Sequence, residues 1–155
     1  MLVDRLTPER RSWLMSRVGS KNTSPEMRVR RLAHSMGLRF RLHRKDLPGN
    51  PDLAFPKYGA VLFVHGCFWH RHPGCRKAST PKSRTEFWDA KFVSNVKRDR
   101  RNEDALRAQG WRVFTIWECE AKSDEEIHAV LSQIPLSDRK EVAKREARIK
   151  KRRST

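Results

Sequence analysis

Apolar and polar residues follow two different rhythms along this chain, and the rhythms divide it into helices and strands. Thr7 followed by Pro8 is a cap and first-turn pair that opens a short helix over about 8–18. A polar break over 19–24 comes next. Ser24 then caps a second helix with Pro25 in its first turn. Met27, Val29, Leu32, Ala33 and Met36 recur there at helical spacing, and Gly37 stands where a left-handed closing residue belongs. Over 38–43 the period drops to two, with Leu38, Phe40 and Leu42 set against Arg39, Arg41 and His43, which predicts a half-buried strand. A Leu-Pro-Gly-Asn-Pro turn over 47–51 leads to strands over 52–55 and 60–65. The second of these, Ala-Val-Leu-Phe-Val-His, is the continuous apolar run of a strand in the middle of a sheet. Residues 66–81 hold too much His, Cys, Gly and Pro for regular structure. A long helix over about 85–109 stops at Gly110, a strand covers 111–117, and Ser123 caps a last helix over 124–134.

That order is expected of an α/β fold with a mixed central sheet flanked by helices. The chain has 155 residues, the size of one domain with little to spare, so the reading is a domain over 1–136 and a tail over 137–155. Between Arg139 and Arg153 nine residues are basic, against Glu141 and Glu146 alone. Such a tail is either disordered or a helix that forms on an anion. The whole chain carries 35 Lys and Arg against 18 Asp and Glu, a formal charge of +17. So large an excess points to a polyanionic partner, because neutralising phosphates releases counterions. No run approaches the roughly 20 apolar residues of a membrane span, and the first residues lack the apolar core of a signal peptide. A membrane or secreted protein is therefore not expected, and three cysteines suit metal ligation in a reducing cytoplasm better than a disulfide framework.

Two of those cysteines lie in Cys67-x4-His72-x2-Cys75, and Cys119 follows directly on a predicted strand. Together they form a Cys3His set of the kind that closes a tetrahedral structural zinc site; the plainer alternative is three buried cysteines. Asp52 opens one strand and His65 ends the next. A carboxylate so placed is the layout of Mg2+-dependent nucleases, to which Glu26 can add a second acid. Equally, Asp52 can simply cap its turn and Glu26 can answer the helix dipole. His65 and His70 are suited to proton transfer near neutral pH, although His70 is also a spare metal ligand, whereas His34, His43 and His128 read as surface or satisfied core residues. Phe68, Trp69 and Trp88 stand beside basic residues, as side chains that stack on bases do; Trp88 can instead pack with Phe87 and Phe92. Lys91 and Asn95 share one helix face, as readers of a major groove would. Lys97, Arg98, Arg100 and Arg101 continue a basic helix suited to phosphates.

With these residues in hand, the sequence resembles the very-short-patch-repair (Vsr) mismatch endonucleases. The resemblance rests on Pro48-Gly-Asn-Pro-Asp52, Phe63-Val-His-Gly-Cys-Phe-Trp-His70, Arg84-Thr-Glu-Phe-Trp88, Asn95-Val-Lys-Arg-Asp-Arg-Arg101 and Gly110-Trp-Arg-Val with Trp117-Glu-Cys119. It runs from about Arg11 to Ile134. It implies a restriction-endonuclease-like fold with one structural Zn2+, and a Mg2+-dependent site that nicks double-stranded DNA 5′ of the thymine in T·G mismatches left by 5-methylcytosine deamination.

Carried over residue by residue, Asp52 would bind Mg2+ through its side chain and Val64 through its backbone carbonyl. His65 and His70 would act around the attacking water and the scissile phosphate, supported by Glu26 and Asp99. Cys67, His72, Cys75 and Cys119 match the zinc ligands. Phe68, Trp69 and Trp88 match an aromatic wedge, Met15 a side chain entering from the other groove, and Lys91 and Asn95 readers of flanking bases. The family carries a hydroxyl residue where this chain has Val64, a change that a backbone ligand survives. The loop between His72 and Cys75 is also one residue longer and poorer in histidine. The same resemblance implies a place at the bacterial nucleoid and contact with mismatch-repair proteins, while one active site per short domain and a single-strand nick favour a monomer. Two further readings stand beside the repair endonuclease: a zinc-stabilised DNA-binding protein without catalysis, and a nuclease of the same fold with another target sequence or lesion.

Overall fold

The computed structural model describes residues 22–136, together with 7, 9–10 and 147–152. The helix expected over about 8–18, with Met15 on it, lies outside the described residues but for Glu9 and Arg10. Most of the tail lies outside them too; within it residues 147–152 are helical and exposed.

Helix α1 covers Ser24–Ser35. Its cap is Thr23 rather than Ser24: the Thr23 backbone is extended and its hydroxyl accepts the Glu26 N–H at 3.4 Å. Gly37 does close the helix, at φ +76. Strand β1 is only Arg41–Leu42, both exposed, so the strand expected over 38–43 is much shorter. It is an edge strand, and His43 turns into the left-handed region at φ +43, which ends the ladder. Strand β2 is Leu53–Phe55 and β3 is Ala60–His65. Helix α2 runs over Thr85–Ala108, β4 over Arg112–Trp117 and α3 over Asp124–Leu131. The last helix stops three residues earlier than expected. Pro135 cannot continue it and disfavours helix at Ile134, so a 3-10 turn over Ile134–Leu136 completes the segment.

The four strands form one mixed sheet in the order β1-β2-β3-β4. The first two pairings are antiparallel, and β3 with β4 is parallel. That parallel pair needs a long connection, which α2 supplies. The apolar run 60–65 is central and buried, as its sequence implied. Strand alternation sorts the core into two layers. Leu53, Phe55, Ala60, Leu62 and Ile116 pack under α1 and α3, while Ala54, Val61 and Phe63 face Leu106 of α2 and Trp111. By the same parity His65 and Trp117, at the ends of β3 and β4, project toward the α2 side. No helix among the described residues is long and apolar enough to cross a membrane.

Candidate active site

The carboxyl end of β3 opens into a cleft of about 460 Å³ lined by His43, Asp52, His65, His70, Arg98 and Asp99, among others. The Pro-Gly-Asn-Pro turn brings Asp52 there. Gly49 has φ +74, and a Cβ on it would lie 3.0 Å from the Asn102 Cβ, so the turn packs on α2 only because residue 49 has no side chain. Asp52 Oδ2 then accepts the Val64 N–H at 2.7 Å across the β2–β3 boundary. Burial pushes the Asp52 carboxyl up to about 6, and the nearby Glu26 raises it too; the Val64 hydrogen bond and the charges of His43 and His70 pull the other way.

His65, His70 and Asp99 form one cluster in this cleft. His70 Nδ1 lies 2.6 Å from Asp99 Oδ2. Burial alone would raise Asp99, yet the hydrogen bond to His70 and the charges of His70, His65 and Arg98 hold it below the usual carboxylate range. The His65 and His70 rings stack with centroids 3.9 Å apart. His65 is only 7% exposed, and burial, helped by the positive field of His70, pushes it down to about 3. It is a neutral imidazole throughout the physiological range.

Glu26, His43 and Asp52 form a second cluster beside the first. Glu26 is 2% exposed. Its Oε1 meets Arg30 Nη2 and His43 Nε2, each at 2.5 Å. Sequence reasoning set His43 aside as an ordinary residue, but it lines the cleft and satisfies a buried acid. Arg30 was readable, since it stands one helical turn after Glu26; His43 arrives from a loop 17 positions away and left no such signal.

Cys67, His72, Cys75 and Cys119 come together as expected, with all four donor atoms within 4.8 Å of one another. His72 Nδ1 is 3.3 Å from Cys119 Sγ and 3.7 Å from Cys67 Sγ. A zinc tetrahedron with bonds of about 2.0–2.3 Å has edges of about 3.3–3.8 Å, so this set can hold a metal. Burial, and then the adjoining Cys67 and Cys75 sulfurs, push the Cys119 thiol up to about 12. A bound cation would relieve that crowding of thiolates.

The aromatic residues assemble on the loop that carries two of these cysteines. Phe68 meets Trp69, Trp88 and Phe92 at 5.1, 5.6 and 5.2 Å between ring centroids, and the Arg71 guanidinium caps Phe92 at 3.9 Å. Phe68, Trp69 and Trp88 stay half-buried outside both core layers. Trp88 therefore packs on Phe92 and still keeps part of its surface. Lys91 is exposed, as a base reader must be. Asn95 is 6% exposed and donates through Nδ2 to the Trp69 carbonyl at 3.2 Å. The shared helix face is real, but the loop folds over its Asn95 end.

A sequence model of the DNA mismatch endonuclease Vsr matches residues 3–77. Among curated relatives, the type II nicking enzyme V.XorIIP of Xanthomonas oryzae pv. oryzae is 56% identical over 133 residues, which covers 86% of this chain and 97% of the relative. The chain belongs to the Vsr DNA mismatch endonuclease family. The type II nicking enzyme V.NmeAIP of Neisseria meningitidis serogroup A is 42% identical over 122 residues, covering 79% of this chain and 86% of its own length. The DNA mismatch endonuclease Vsr of Escherichia coli K12 is 42% identical over 117 residues, covering 76% and 74%. The Vsr-family chain described here is thus a strand-nicking DNA endonuclease, and DNA is its substrate.

Proposed function

We propose that this endonuclease uses Mg2+ to nick one strand of duplex DNA 5′ of a thymine mispaired with guanine, within a flanking sequence of its own. The observation that carries the reading is the convergence of Asp52 with the His65–His70–Asp99 cluster in one cleft. Asp52 offers the hard carboxylate oxygen that Mg2+ prefers, and it is ionised above about pH 6. Asp52 would hold the ion with the Val64 carbonyl. The ion supplies neutralisation of phosphate charge and activation of water.

The chain's own groups handle the protons. With Asp99 on its Nδ1 side, His70 keeps Nε2 free to take a proton from the attacking water. His65, stacked on it and neutral, is suited to hydrogen-bond the scissile phosphate or the leaving oxygen. Glu26, held by Arg30 and His43, stands behind Asp52 as a fixed negative charge. The Cys3His cluster suits a structural Zn2+, because four protein ligands leave no open position, and the sheet and helices suit a restriction-endonuclease-like core.

Phe68, Trp69 and Trp88 are suited to enter the base stack. Unstacking costs a few kcal/mol per step and less at a mismatch, so a weak pair is selected. Met15 would approach from the other groove and Lys91 would read a flanking base. Asn95 would act by holding the Trp69 loop.

The 56% identity to a type II nicking enzyme, against 42% to the E. coli mismatch endonuclease, favours a second reading in which the target is another sequence or lesion. A pool of labelled duplexes with randomised flanks, carrying T·G in one arm and T·A in the other, separates the two. Mg2+-dependent cutting of the T strand at T·G alone supports the first reading. Equal cutting in both arms supports the second with a sequence as its target, and no cutting in either arm rejects the first and leaves another lesion as the target.

A further inference from the structure

His65 and Trp117 are register partners in the parallel β3–β4 ladder. Both side chains leave the same face of the sheet, and their rings meet edge-on with centroids 5.4 Å apart at 68°. Trp117 also lies face to face with His72, at 4.4 Å and 10° between planes. His72 belongs to the Cys3His cluster, and His65 stacks on His70 at 3.9 Å. Four rings in contact, His72, Trp117, His65 and His70, thus connect the metal-ligating cluster to the paired histidines, and Asp99 holds the far end.

The backbone at Trp117 is pinned independently. Its N–H donates to Glu120 Oε2 at 3.1 Å, and the next residue, Glu118, donates to the His65 carbonyl at 2.8 Å. The remaining freedom of the indole lies in its side-chain torsions, and it is held between His72, stacked on it, and His65, which it meets edge-on. Whatever fixes the plane of His72 therefore fixes the indole, and the indole limits how His65 can tilt against His70. A metal ligand has its ring plane fixed by the ion. Phosphodiester hydrolysis is sensitive to such tilts, because a displacement of about 1 Å in a reacting group can slow a reaction about 100-fold.

We infer that Trp117 is a positioning residue through which metal held by Cys67, His72, Cys75 and Cys119 sets the alignment of His65 against His70. The inference rests on the functional reading above. It gives the Cys/His cluster a part in the reaction beyond stapling a loop to a strand.

The test compares Trp117→Leu with Trp117→Phe in the zinc-loaded protein. Both variants are expected to keep one zinc and to bind a T·G duplex within about twofold of the parent. Trp117→Leu should nick at least tenfold more slowly in single turnover, with Trp117→Phe recovering to within about threefold. An unchanged rate in Trp117→Leu, or a loss that only follows binding or zinc content, overturns the inference.

A second measurement needs no nicking and covers a Trp117→Leu protein that fails to fold. Replacing zinc by the larger Cd2+ in the parent should move the imidazole NMR signals of both His65 and His70. In Trp117→Phe, where the ring contacts are smaller, the shift should be smaller. Signals that stay in place on exchange overturn the inference. A parent that shifts its signals but cuts no duplex would instead count against the functional reading alone.

Discussion

The imidazoles of His65 and His70 lie parallel to within 5°, with centroids 3.9 Å apart. Among the described residues only one of the two has a carboxylate on its ring, so the pair is chemically unequal. Asp99 takes the Nδ1 side of His70, whereas His65, buried among the rings of Phe63, His70 and Trp117, stays neutral. Asp99→Asn keeps the size of the side chain but can present an amide N–H to Nδ1 and favour the wrong tautomer. The expected result is a loss of about 100-fold or more in single-turnover nicking, with duplex binding unchanged. Parallel losses in rate and binding would assign Asp99 a merely structural role.

Asp52 trades stability for chemistry. Its carboxyl rises from 3.8 to about 6 on folding, chiefly through burial. Between those values the folded state binds more protons than the unfolded one, so this group's contribution to stability falls as pH rises and is fully lost above about 6. Asp52→Asn removes the penalty. Without added divalent cations it should be more stable than the parent at pH 7.5 by about 1–3 kcal/mol, with the difference shrinking as pH falls through 6 toward 4. The same variant should not nick with Mg2+. Thermal melts across that range, beside the nicking assay, check both parts.

His65 carries the opposite sign. Its pKa falls from 6.5 unfolded to about 3 folded, so the unfolded state takes up the proton first. Stability from the neutral ring is complete above 6.5 and is lost as pH drops toward 3. His65→Asn should flatten the acid limb of the stability profile between about pH 6.5 and 4.5, as read by denaturant titration at each pH. An unchanged limb would mean that His65 is not the group that titrates.

Gly49 is fixed by two independent constraints, a left-handed φ of +74 and the 3.0 Å approach to Asn102. Gly49→Ala is expected to cost about 1–3 kcal/mol of stability and to pull the Asp52 turn from α2. Activation by Mg2+ should then need a higher concentration. Stability measured by urea unfolding and a Mg2+ titration of the nicking rate would show whether the two effects travel together.

Cys119 reaches the metal-ligating cluster from the end of β4, while its three partners share one loop. Cys119→Ser should lower zinc content and melting temperature together, because metal affinity in such sites is folding free energy. A variant with one zinc and an unchanged melting temperature would remove Cys119 from the ligand set.

Much of this molecule is legible from its sequence because the determining interactions are local. The caps at Thr23 and Ser123, the apolar run 60–65 and the helix stop at Gly110 follow from neighbours within a few positions, and all appear within a residue or so of where the pattern puts them. The Cys3His set could be read from residue chemistry alone, since only a few side chains in the chain ligate soft metals. Asp52 and His65 were marked by their places at strand ends.

Tertiary structure decided what faces what. Whether the 38–43 segment pairs over six residues or two depends on how much of β2 is available beside it, and β2 has three residues. The His43 that meets Glu26, the Asn95 that turns inward to hold Trp69, and the Trp117 that bridges His65 and His72 are each placed by partners 17 or more positions away. A helical or strand period states that a residue lies on a face. Burial of that face is settled only when the sheet, its crossover helix and the cysteine loop pack together, because desolvation and ring contact depend on atoms the local sequence does not contain.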